Sequence, residues 1–337
     1  MEILVTGGAG YIGSHVVKQL LEYNDCAITI IDNLSTGSLK TIQTLETIRD
    51  DRNNLKFIKT DLSDFSKIEE IFKANSFQAI IHFAASIIVP ESVTNPLKYY
   101  LNNTTNTINL INLAVKYGVS KFIFSSTAAV YGNPEEIPVR EDTPTHPINP
   151  YGMSKLMSEN VLKDAAKAYR GFKYVILRYF NVAGADIKNR IGQCFPNATH
   201  LIKVAAETAV GKRDKLYIFG DDYPTFDGTC IRDYIHVDDL SYAHLMALEY
   251  LNNHDSDVFN CGYGYGYSVK QVIETMKRVS GVDFPVEVVG RREGDAACLV
   301  ANSDKIKTLM GWQPKYNQLE LICQTALNWE KKLLSGY

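Results

Sequence analysis

The stretch TGGAGYIG, residues 6–13, follows the apolar run Ile3-Leu4-Val5 and leads into a helical pattern at Ile12–Leu21. Its glycines at positions 7, 10 and 13 form a GxxGxxG pattern. Glycines at this spacing let the chain turn tightly from a strand into a helix and let another group approach the backbone closely. The stretch therefore predicts the opening βα unit of a doubly wound sheet.

Strand and helix patterns keep alternating through the first half of the chain. The predicted strands are nearly continuous apolar runs, as expected for a parallel sheet covered on both faces. They are Ile3–Thr6, Ala27–Asp32, Leu55–Asp61, Ala79–Phe83, Lys121–Ser126 and Tyr174–Phe180. The helical patterns between them include Ile12–Leu21, Lys67–Ala74, Tyr99–Tyr117 and Tyr151–Tyr169. The predicted fold class is α/β, a doubly wound parallel Rossmann sheet with a smaller C-terminal lobe.

The pattern changes after about residue 181, where Gly, Pro and Asn become frequent and strands are spaced irregularly. Leu216–Phe219 and Pro285–Val289 are predicted strands of a second lobe. Tyr234–Val237 and Val258–Cys261 are predicted to return to the first sheet. We therefore expect a first domain over 1–180 with returning segments near 234–262, and a second lobe over 181–233 and 263–337.

Composition excludes several classes of protein. A chain of 337 residues with a formal net charge of −3 carries no general basic surface, which argues against a nucleic-acid partner. The longest apolar stretch, residues 79–90, is too short to span a bilayer. The six cysteines are scattered singly without a CxxC pair, so neither a metal site nor a disulfide framework is predicted. Because Met1-Glu2 runs directly into the first strand and leaves no room for a signal peptide, we expect a cytoplasmic protein.

A carboxylate at the end of the second predicted strand supports the interpretation of the glycine-rich turn as a dinucleotide-binding site. Asp32 lies 25 residues after Gly7, where it can accept hydrogen bonds from both hydroxyls of an adenosine ribose. It would repel a 2′-phosphate, so NAD is predicted over NADP. An ordinary strand-end turn at Asp32-Asn33 is the alternative. Asp61, after the third strand, is either an adenine contact or a helix cap.

Ser125-Ser126-Thr127 ends the fifth strand, at the carboxyl edge where doubly wound sheets place ligands. Farther along, Asn149 is a good N-cap and Pro150 a good first helical residue, so a helix is predicted to begin there. Tyr151 and Lys155 are then one turn apart on the same face. Any amphipathic helix can carry such a pair by chance. After a dinucleotide pattern and a hydroxyl-rich strand end, it instead indicates proton and hydride chemistry.

The predicted chemistry follows from pKa values. A free tyrosine has a pKa of about 10. A nearby ammonium, together with a positive nicotinamide ring, stabilises the phenolate and lowers this pKa toward neutrality. Tyr151 could then remove a proton from a sugar hydroxyl while hydride leaves the same carbon, with Thr127 holding that hydroxyl.

At this point the sequence resembles the extended short-chain dehydrogenase/reductase superfamily, and within it the UDP-galactose (UDP-glucose) 4-epimerase family. The resemblance covers essentially the whole chain. It rests on TGGAGYIGSH (6–15), DNLSTG (32–37), HFAA (82–85), NPLKYYLNN (95–103), FIFSSTAAVYG (122–132), PYGMSKLMSE (150–159), LRYFNVAGA (177–185), THLI (199–202), IFGDDYPTFDGTCIRDYIHVDD (218–239) and RREGD (291–295). The last two stretches are far more specific than the first.

The resemblance implies roles for individual residues. Thr127, Tyr151 and Lys155 are the implied catalytic residues. The implied NAD contacts are Gly7, Gly10, Tyr11, Ile12, Gly13, Asp32, Asn33, Asp61, Leu62, Phe83, Ala84, Ala85, Asn102, Tyr151, Lys155 and Tyr179. The implied UDP-sugar contacts are Thr127, Asn181, His200, Leu201, Tyr217, Phe219, Arg232, Arg292, Asp295 and Leu299, with the two arginines on the diphosphate. A surface salt bridge is the alternative for each arginine.

Two departures from the family pattern stand out. Many members have a lysine near the cofactor phosphates where this chain has Ile87. Members restricted to plain hexoses have a bulky tyrosine where this chain has Leu299. The second departure predicts activity on UDP-GlcNAc and UDP-GalNAc as well as on UDP-glucose and UDP-galactose.

Sister enzymes give alternative functions. Sugar 4,6-dehydratases carry Asp-Glu after the strand-end threonine, and nucleotide-sugar decarboxylases carry Glu at the second of these positions, whereas this chain has Ala128-Ala129. A nucleotide-sugar 4-reductase or dehydrogenase is the next alternative, and a non-enzymatic dinucleotide-binding module is the third. We predict a redox-neutral UDP-hexose 4-epimerase with bound NAD. A homodimer, paired through the helices around 99–117 and 151–169, is implied only by the family.

Overall fold

The structure, a computed structural model, describes residues 1–23, 25–48, 54–292 and 295–337. Its strands are β1 (Glu2–Thr6), β2 (Ala27–Asp32), β3 (Asn54–Lys59), β4 (Ala79–His82), β5 (Lys121–Thr127), β6 (Lys173–Tyr179), β7 (Asn181–Ala183), β8 (Leu216–Phe219), β9 (Ile231–Arg232), β10 (Tyr234–His236), β11 (Asp257–Cys261), β12 (Tyr267–Ser268), β13 (Val286–Val289) and β14 (Cys298–Leu299).

The α-helices are α1 (Tyr11–Tyr23), α2 (Leu39–Ile48), α3 (Phe65–Lys73), α4 (Val89–Thr94), α5 (Pro96–Tyr99), α6 (Asn106–Lys116), α7 (Pro150–Ala168), α8 (Leu201–Ala209), α9 (Val237–Asn253), α10 (Val269–Ser280), α11 (Asp304–Met310) and α12 (Leu319–Leu334). A π-helix spans Tyr100–Thr105, and a 3₁₀ helix spans Ala128–Tyr131. Within the described ranges, no helix is both long enough and apolar enough to cross a membrane.

The chain forms two compact units. The first contains residues 1–132, 145–178 and 241–259, and the second contains residues 133–144, 179–240 and 260–337. The domain boundaries expected from the sequence stay a prediction.

The first unit is built on a seven-stranded sheet of order β11-β6-β5-β4-β1-β2-β3. Strand β1 lies between β2 and β4 and is parallel to both, with Ile3 paired to Ile28 on one side and Ala79 on the other. The connections reverse direction at β1, which is where doubly wound sheets bind ligands, outside the carboxyl ends of the strands. The predicted fold class is confirmed, and the predicted bounds of β2 are correct to the residue.

Helix packing buries this sheet, which explains its continuous apolar strands. Leu4, Ile80 and Phe122 of three neighbouring strands form one buried cluster with residues of α3, α6 and α7, among them Leu110 and Leu162. Burying each such side chain contributes about 1.5–3 kcal/mol to the free energy of unfolding. The covered sheet is a rigid base from which polar strand ends project.

The predicted single helix over 99–117 is wrong in detail, because a π-helix interrupts it at Tyr100–Thr105. Asn103, inside the π-helix, accepts a hydrogen bond from Ser86 N at 2.8 Å and donates to Ser154 Oγ at 3.0 Å. A π-helical turn adds a residue to the helix and so turns a side chain toward partners that a regular helix would miss. The extra turn ties the loop after β4 to helix α7.

The described residues of the second unit form three small sheets. Strand β10 pairs in parallel with β7, β13 pairs with β8, and β9 lies between β12 and β14. The predicted return of Tyr234–Val237 to the first sheet is wrong. Strand β10 pairs instead with β7, with Tyr234 opposite Asn181. The predicted return of Val258–Cys261 is confirmed, since β11 lies at the edge of that sheet.

Candidate active site

The glycine-rich turn is shaped by close backbone packing. Gly7 has a φ of +73°, and a Cβ there would lie 2.6 Å from Ala84 N in the loop after β4. A Cβ on Gly13 would lie 2.3 Å from Gly7 O. Both positions therefore require glycine. The turn leads into the N-terminus of α1 at Tyr11, and the positive end of the helix dipole there favours an anionic ligand.

Asp32 is held rigidly at the end of β2. Its Oδ2 accepts a hydrogen bond from Ala9 N at 3.0 Å and its Oδ1 from Leu34 N at 2.7 Å. Burial raises the pKa of the carboxyl, while these two N–H groups act in the opposite direction. The same carboxylate therefore orders the glycine-rich turn and the start of the next loop. Because it is fixed before any ligand arrives, it suits recognition of a ribose diol.

Asn33 and Asp61 lie together beyond β2 and β3. Asn33 Nδ2 donates to Asp61 Oδ2 at 2.6 Å, and Ser63 donates to Asp61 Oδ1 through its backbone N–H and its hydroxyl. The hydrogen bonds from Ser63 and Asn33 lower the pKa of Asp61. Asp64, not Asp61, caps helix α3. Of the two interpretations of Asp61, the structure therefore removes the helix cap.

The other predicted cofactor residues of the first unit lie at the same edge of the sheet or on the π-helix. Phe83, Ala84 and Ala85 follow β4 directly and are half-buried. Leu62, next to Asp61, is buried. Asn102 lies on the π-helix, where its amide donates to Ser86 Oγ at 3.2 Å. These residues, the glycine cradle and Asp32 fit a dinucleotide laid across the carboxyl ends of β1, β2 and β4.

The predicted catalytic residues meet at the end of β5. Asn149 caps α7 by accepting from Gly152 N at 2.9 Å, and Pro150 is the first residue of the helix, so both local predictions are confirmed. Thr127 closes β5, and its Oγ1 accepts from Ala129 N at 3.1 Å. Its hydroxyl proton is then available to Tyr151, and this hydrogen bond lowers the pKa of the phenol.

Burial acts on Tyr151 in the opposite direction and is the larger cause, so the pKa of Tyr151 in the chain by itself is raised. This differs from the predicted lowering. The predicted lowering required two positive charges, and only the ammonium belongs to the protein. A phenolate at neutral pH therefore depends on positive charge supplied by a bound ligand.

Lys155 is almost completely buried beside the same strand. Its Nζ donates to Ser125 O at 2.8 Å and lies 5.0 Å from the centre of the Phe124 ring. Burial lowers the pKa of Lys155 to about 7, while Glu159 acts to raise it. His82 is also buried, between Thr6 and Thr107, and burial lowers its pKa to about 3, which keeps it neutral.

The second unit brings together the predicted diphosphate and uridine residues. Asp295 lies 3.7 Å from Arg232 Nη2 and 3.1 Å from Arg292 Nε. The Arg292 guanidinium lies over the Phe219 ring, 4.5 Å from its centre. Leu299 pairs in register with Arg232 across β14 and β9. In the RREGD stretch, residues 293 and 294 lie outside the described residues.

The remaining predicted substrate residues belong to three other segments of the second unit. Asn181 begins β7, and Tyr179, which was predicted as a cofactor contact, closes β6. His200 caps α8 without a side-chain cap bond, Leu201 is the first residue of that helix, and burial lowers the pKa of His200. Tyr217 is exposed on β8, with its ring centre 6.5 Å from that of Phe219.

Sequence reasoning missed Asp233, the buried residue after Arg232. Its Oδ1 accepts from Tyr263 N at 2.8 Å, and its Oδ2 accepts from Gly264 N at 3.0 Å and Ala301 N at 3.3 Å. Burial raises its pKa to about 6. Asp233 thereby links its own segment, next to β9, to residues 263–264 and to residue 301. Its position in the middle of an RDY triplet was visible, but its partners, about 30 and 70 residues away, were not.

The comparisons with known proteins are consistent along the whole chain. The sequence profile of the GDP-mannose 4,6 dehydratase family matches residues 4–325. The UDP-glucose 4-epimerase of Azospirillum brasilense is 49% identical over 98% of this chain and 92% of its own length.

Two solved structures extend the comparison. The UDP-Glc/GlcNAc 4-epimerase of Campylobacter jejuni is 59% identical, with a TM-score of 0.86 over 98% of this chain and 99% of its own. The UDP-glucose 4-epimerase of Bifidobacterium longum, solved in complex with NAD⁺ and UDP, is 36% identical, with a TM-score of 0.94 over all of both chains. The predicted family and enzyme class are confirmed, and the chain belongs to the UDP-glucose 4-epimerase family of the extended short-chain dehydrogenase/reductase superfamily.

Proposed function

We propose that this enzyme interconverts UDP-glucose and UDP-galactose by oxidising and re-reducing C4 of the hexose. Its cofactor is NAD, as predicted from Asp32 and as in the solved relative from Bifidobacterium longum. The observation that carries the proposal is the arrangement at the end of β5, where the Thr127 side chain lowers the pKa of Tyr151 and Lys155 lies one helical turn further along α7. NAD, when bound, supplies a reversible hydride acceptor.

Tyr151 is the proposed acid and base. Its phenolate takes the proton of the 4-hydroxyl as hydride leaves C4, and its phenol returns that proton when hydride comes back to the opposite face of the 4-keto sugar. Thr127 orients the reacting oxygen in this proposal, because its side chain already interacts with the Tyr151 phenol and lowers the pKa of that phenol. Lys155 adds positive charge next to the phenolate and, through Ser125 O, is fixed to the strand that ends at Thr127.

The residues after Thr127 favour epimerisation over elimination. Ala128 is buried and Ala129 half-buried at the start of the 3₁₀ helix, and neither side chain can donate or accept a proton. A 4-keto sugar held there has no acid or base from these positions for loss of water from C5 and C6. This distinguishes the chain from the dehydratase named in the matching family profile. Hydride return is then the open route.

The second unit is the proposed anchor for UDP. Arg232 and Arg292 share Asp295 as their carboxylate partner, so both guanidinium groups are held in place with donors left for phosphate oxygens. Phe219, whose ring lies under the Arg292 guanidinium, and Tyr217 are exposed aromatic side chains for packing against the uracil ring. Firm binding of UDP leaves the hexose free to rotate and present either face to the same hydride acceptor.

We propose that the substrate range includes UDP-GlcNAc and UDP-GalNAc. The support is Leu299, which is shorter than tyrosine and lies in register with Arg232. The similarity to the Campylobacter jejuni UDP-Glc/GlcNAc 4-epimerase, at 59% identity, agrees with this range.

The direct experiment is to incubate purified protein with UDP-galactose, without added nucleotide, and to separate the UDP-sugars. We expect UDP-glucose to form at catalytic turnover and denatured protein to release NAD or NADH. The control is Tyr151→Phe. An absolute requirement for added NADPH, or release of NADP, would instead establish a 4-reductase.

A homodimer is also proposed. In the first unit, Leu97 on α5 and Leu101 on the π-helix are 70% and 63% exposed, and Met157 on α7 is exposed as well. Pairing of these helices with their copies would cover apolar surface that a monomer leaves in water. Light scattering should give twice the chain mass for the native protein and the chain mass for Leu101→Glu. Leu309→Glu, an exposed leucine in the second unit, should stay dimeric.

We further propose a cytoplasmic location. None of the six cysteines, all within the described residues, forms a disulfide, as expected in a reducing compartment.

A further inference from the structure

Helix α7 carries a third polar residue in line with the two proposed catalytic ones. Tyr151, Lys155 and Glu159 follow each other at intervals of four, so they occupy one face of the helix on successive turns. Glu159 is completely buried. A buried carboxylate costs several kcal/mol unless it is paired, so its partners must have a definite arrangement.

Glu159 uses both carboxylate oxygens. Oε1 accepts from Ser126 Oγ at 2.5 Å and from Arg178 Nε at 3.0 Å, and Oε2 accepts from Arg178 Nη2 at 2.7 Å. Arg178, on β6, is buried too, and its Nη1 donates to Tyr131 Oη at 2.9 Å. Such a fork-to-fork geometry fixes both partners in distance and in plane.

The pair also fixes the strand that carries Thr127. Glu159 holds the side chain of Ser126, and Lys155 holds the carbonyl of Ser125. Two successive residues of β5 are therefore tied to successive turns of α7. Thr127 is the next residue, so its position relative to Tyr151 depends on both ties.

The charges around Lys155 come from several elements. On α7 itself are Tyr151 and Glu159. Strand β5 contributes the Ser125 carbonyl and the Phe124 ring, and β4 contributes His82, which burial keeps neutral. Of these, Glu159 is the group that favours the ammonium over the neutral amine.

The charges around Glu159 are mainly positive. Arg178 from β6 is the main partner, and Lys163, one turn along α7, lies 3.4 Å away. Tyr174 from β6 and Tyr131 from the 3₁₀ helix also lie within electrostatic reach of the pair. Together, Glu159 and Arg178 form an ion pair without net charge. Within this pair, Glu159 is the member that raises the pKa of Lys155.

We propose that Glu159 and Arg178 are positioning residues of the epimerase reaction, which hold Thr127 in place and keep Lys155 in its charged form. The inference rests on the proposed function of Lys155. It predicts opposite effects for the two partners. Glu159→Gln leaves Arg178 as an uncompensated cation and disfavours a second cation at Lys155. Arg178→Met leaves Glu159 uncompensated and favours the Lys155 cation.

The test follows Lys155 directly. In purified enzyme labelled with ¹³C at the lysine ε-carbons, an NMR titration reports the ammonium-to-amine midpoint of each lysine. The Lys155 resonance is identified by its absence in Lys155→Met. We expect the midpoint to fall by about one pH unit in Glu159→Gln, a tenfold change in the protonation constant, and to rise in Arg178→Met. The high-pH limb of kcat/KM should move in the same two directions.

Two controls and one fallback comparison complete the test. Glu207→Gln removes another buried carboxylate, in the second unit, and should leave the Lys155 midpoint unchanged. The double variant Glu159→Gln/Arg178→Met removes both charges and should return the midpoint toward that of the native enzyme. If Glu159→Gln alone does not fold, the difference between Arg178→Met and the double variant isolates the Glu159 charge.

Shifts of equal sign in both single variants, or no shift in either, would overturn the inference. Failure of the proposed function gives a different result. A native enzyme without epimerase activity, or a Lys155→Met variant that keeps full activity, would remove the role of Lys155, while the NMR midpoints would still measure the charge coupling.

Discussion

The two units of this enzyme fix their functional side chains by different means. In the first unit, Thr127, Tyr151 and Lys155 come from one strand end and one helix start, and they lie within 29 residues of each other in the chain. In the second unit, the proposed UDP contacts come from segments spread between residues 181 and 299, and two of them, Arg232 and Leu299, lie on strands of only two residues. The first arrangement suits chemistry, and the second suits recognition of a large ligand.

The surroundings of one buried lysine in each unit illustrate this difference in how functional side chains are held. Lys203, on α8, is 6% exposed and forms ion pairs with Glu207, at 3.2 Å, and with Glu330 on α12. Lys155 is 3% exposed, but its Nζ lies against a carbonyl and an aromatic ring. The paired lysine holds two helices together. The lysine held by neutral groups keeps its charge available to a neighbour, which is what a catalytic cation needs.

The largest effect is expected for the chemistry of the first unit. Tyr151→Phe removes the proton acceptor but keeps the ring, so folding and NAD content should survive. Turnover should fall by roughly 10²- to 10⁴-fold, the usual worth of a positioned general base. Steady-state kinetics with UDP-galactose would measure it, with Tyr242→Phe as a matched surface control. A variant that retains most of its turnover would mean that the base is another group.

A smaller effect, on binding, is expected in the second unit. Arg232→Lys keeps the charge but loses the planar fork, so the affinity for UDP should fall by roughly 10- to 100-fold, the worth of about one or two charged hydrogen bonds. Calorimetric titration with UDP gives Kd directly. Arg140→Lys, an exposed arginine of the same unit, should bind UDP as the native protein does. An unchanged Kd for Arg232→Lys would contradict the proposal that Arg232 in the second unit binds UDP.

Substrate choice should change by a still smaller factor. Leu299→Tyr narrows the space beside Arg232, and we expect kcat/KM for UDP-GlcNAc to fall about tenfold relative to UDP-glucose. Leu299→Met keeps the volume and should preserve the native ratio. Equal losses on both substrates in the tyrosine variant would show that Leu299 does not set the range.

The smallest effect concerns stability and pH. The folded-state pKa of Asp233, about 6, exceeds its ordinary value, so the protonated form contributes stability at low pH that is lost as the pH rises through 6. Asn cannot titrate, and its amide group would face the N–H donors of Tyr263, Gly264 and Ala301. Asp233→Asn should therefore be less stable than the native protein.

The pH dependence of the unfolding free energy tests whether titration of Asp233 causes this difference in stability. The difference in unfolding free energy between native protein and Asp233→Asn should shrink by about 1 kcal/mol from pH 5 to pH 7.5. Urea unfolding at the two pH values measures it. A difference that stays constant, or grows, would show that Asp233 does not titrate in this range in the folded protein.

The contrast between contacts that are local in the sequence and contacts between distant segments also explains how much of the fold the sequence could predict. Ala27–Asp32 and Leu216–Phe219 were predicted to the residue, because each is a short apolar run bounded by polar or turn residues. Strands β9, β12 and β14 were missed, because two-residue strands carry no pattern and exist only through partners that are far away in the sequence. Helix α2 was missed although its apolar residues recur every three positions from Leu39.

The candidate site divides in the same way. Tyr151 and Lys155 could be predicted because cap, proline and i,i+4 spacing are local signals. The tie from Glu159 to Arg178 joins a helix to a strand 19 residues later, and no spacing rule reveals it. The four-residue interval from Lys155 to Glu159 was the available signal. The π-helix depends on the hydrogen bonds of Asn103 to Ser86 and Ser154, which only the folded chain brings together.

The central claim is that the first unit removes hydride from C4 and returns the same hydride. The most direct measurement uses UDP-galactose carrying deuterium at C4, incubated with the enzyme in ordinary water without added nucleotide. We predict that the UDP-glucose formed retains deuterium at C4, as read by NMR and mass spectrometry, because the hydride never exchanges with solvent. Loss of the label to solvent, or a product that has lost water, would contradict the account.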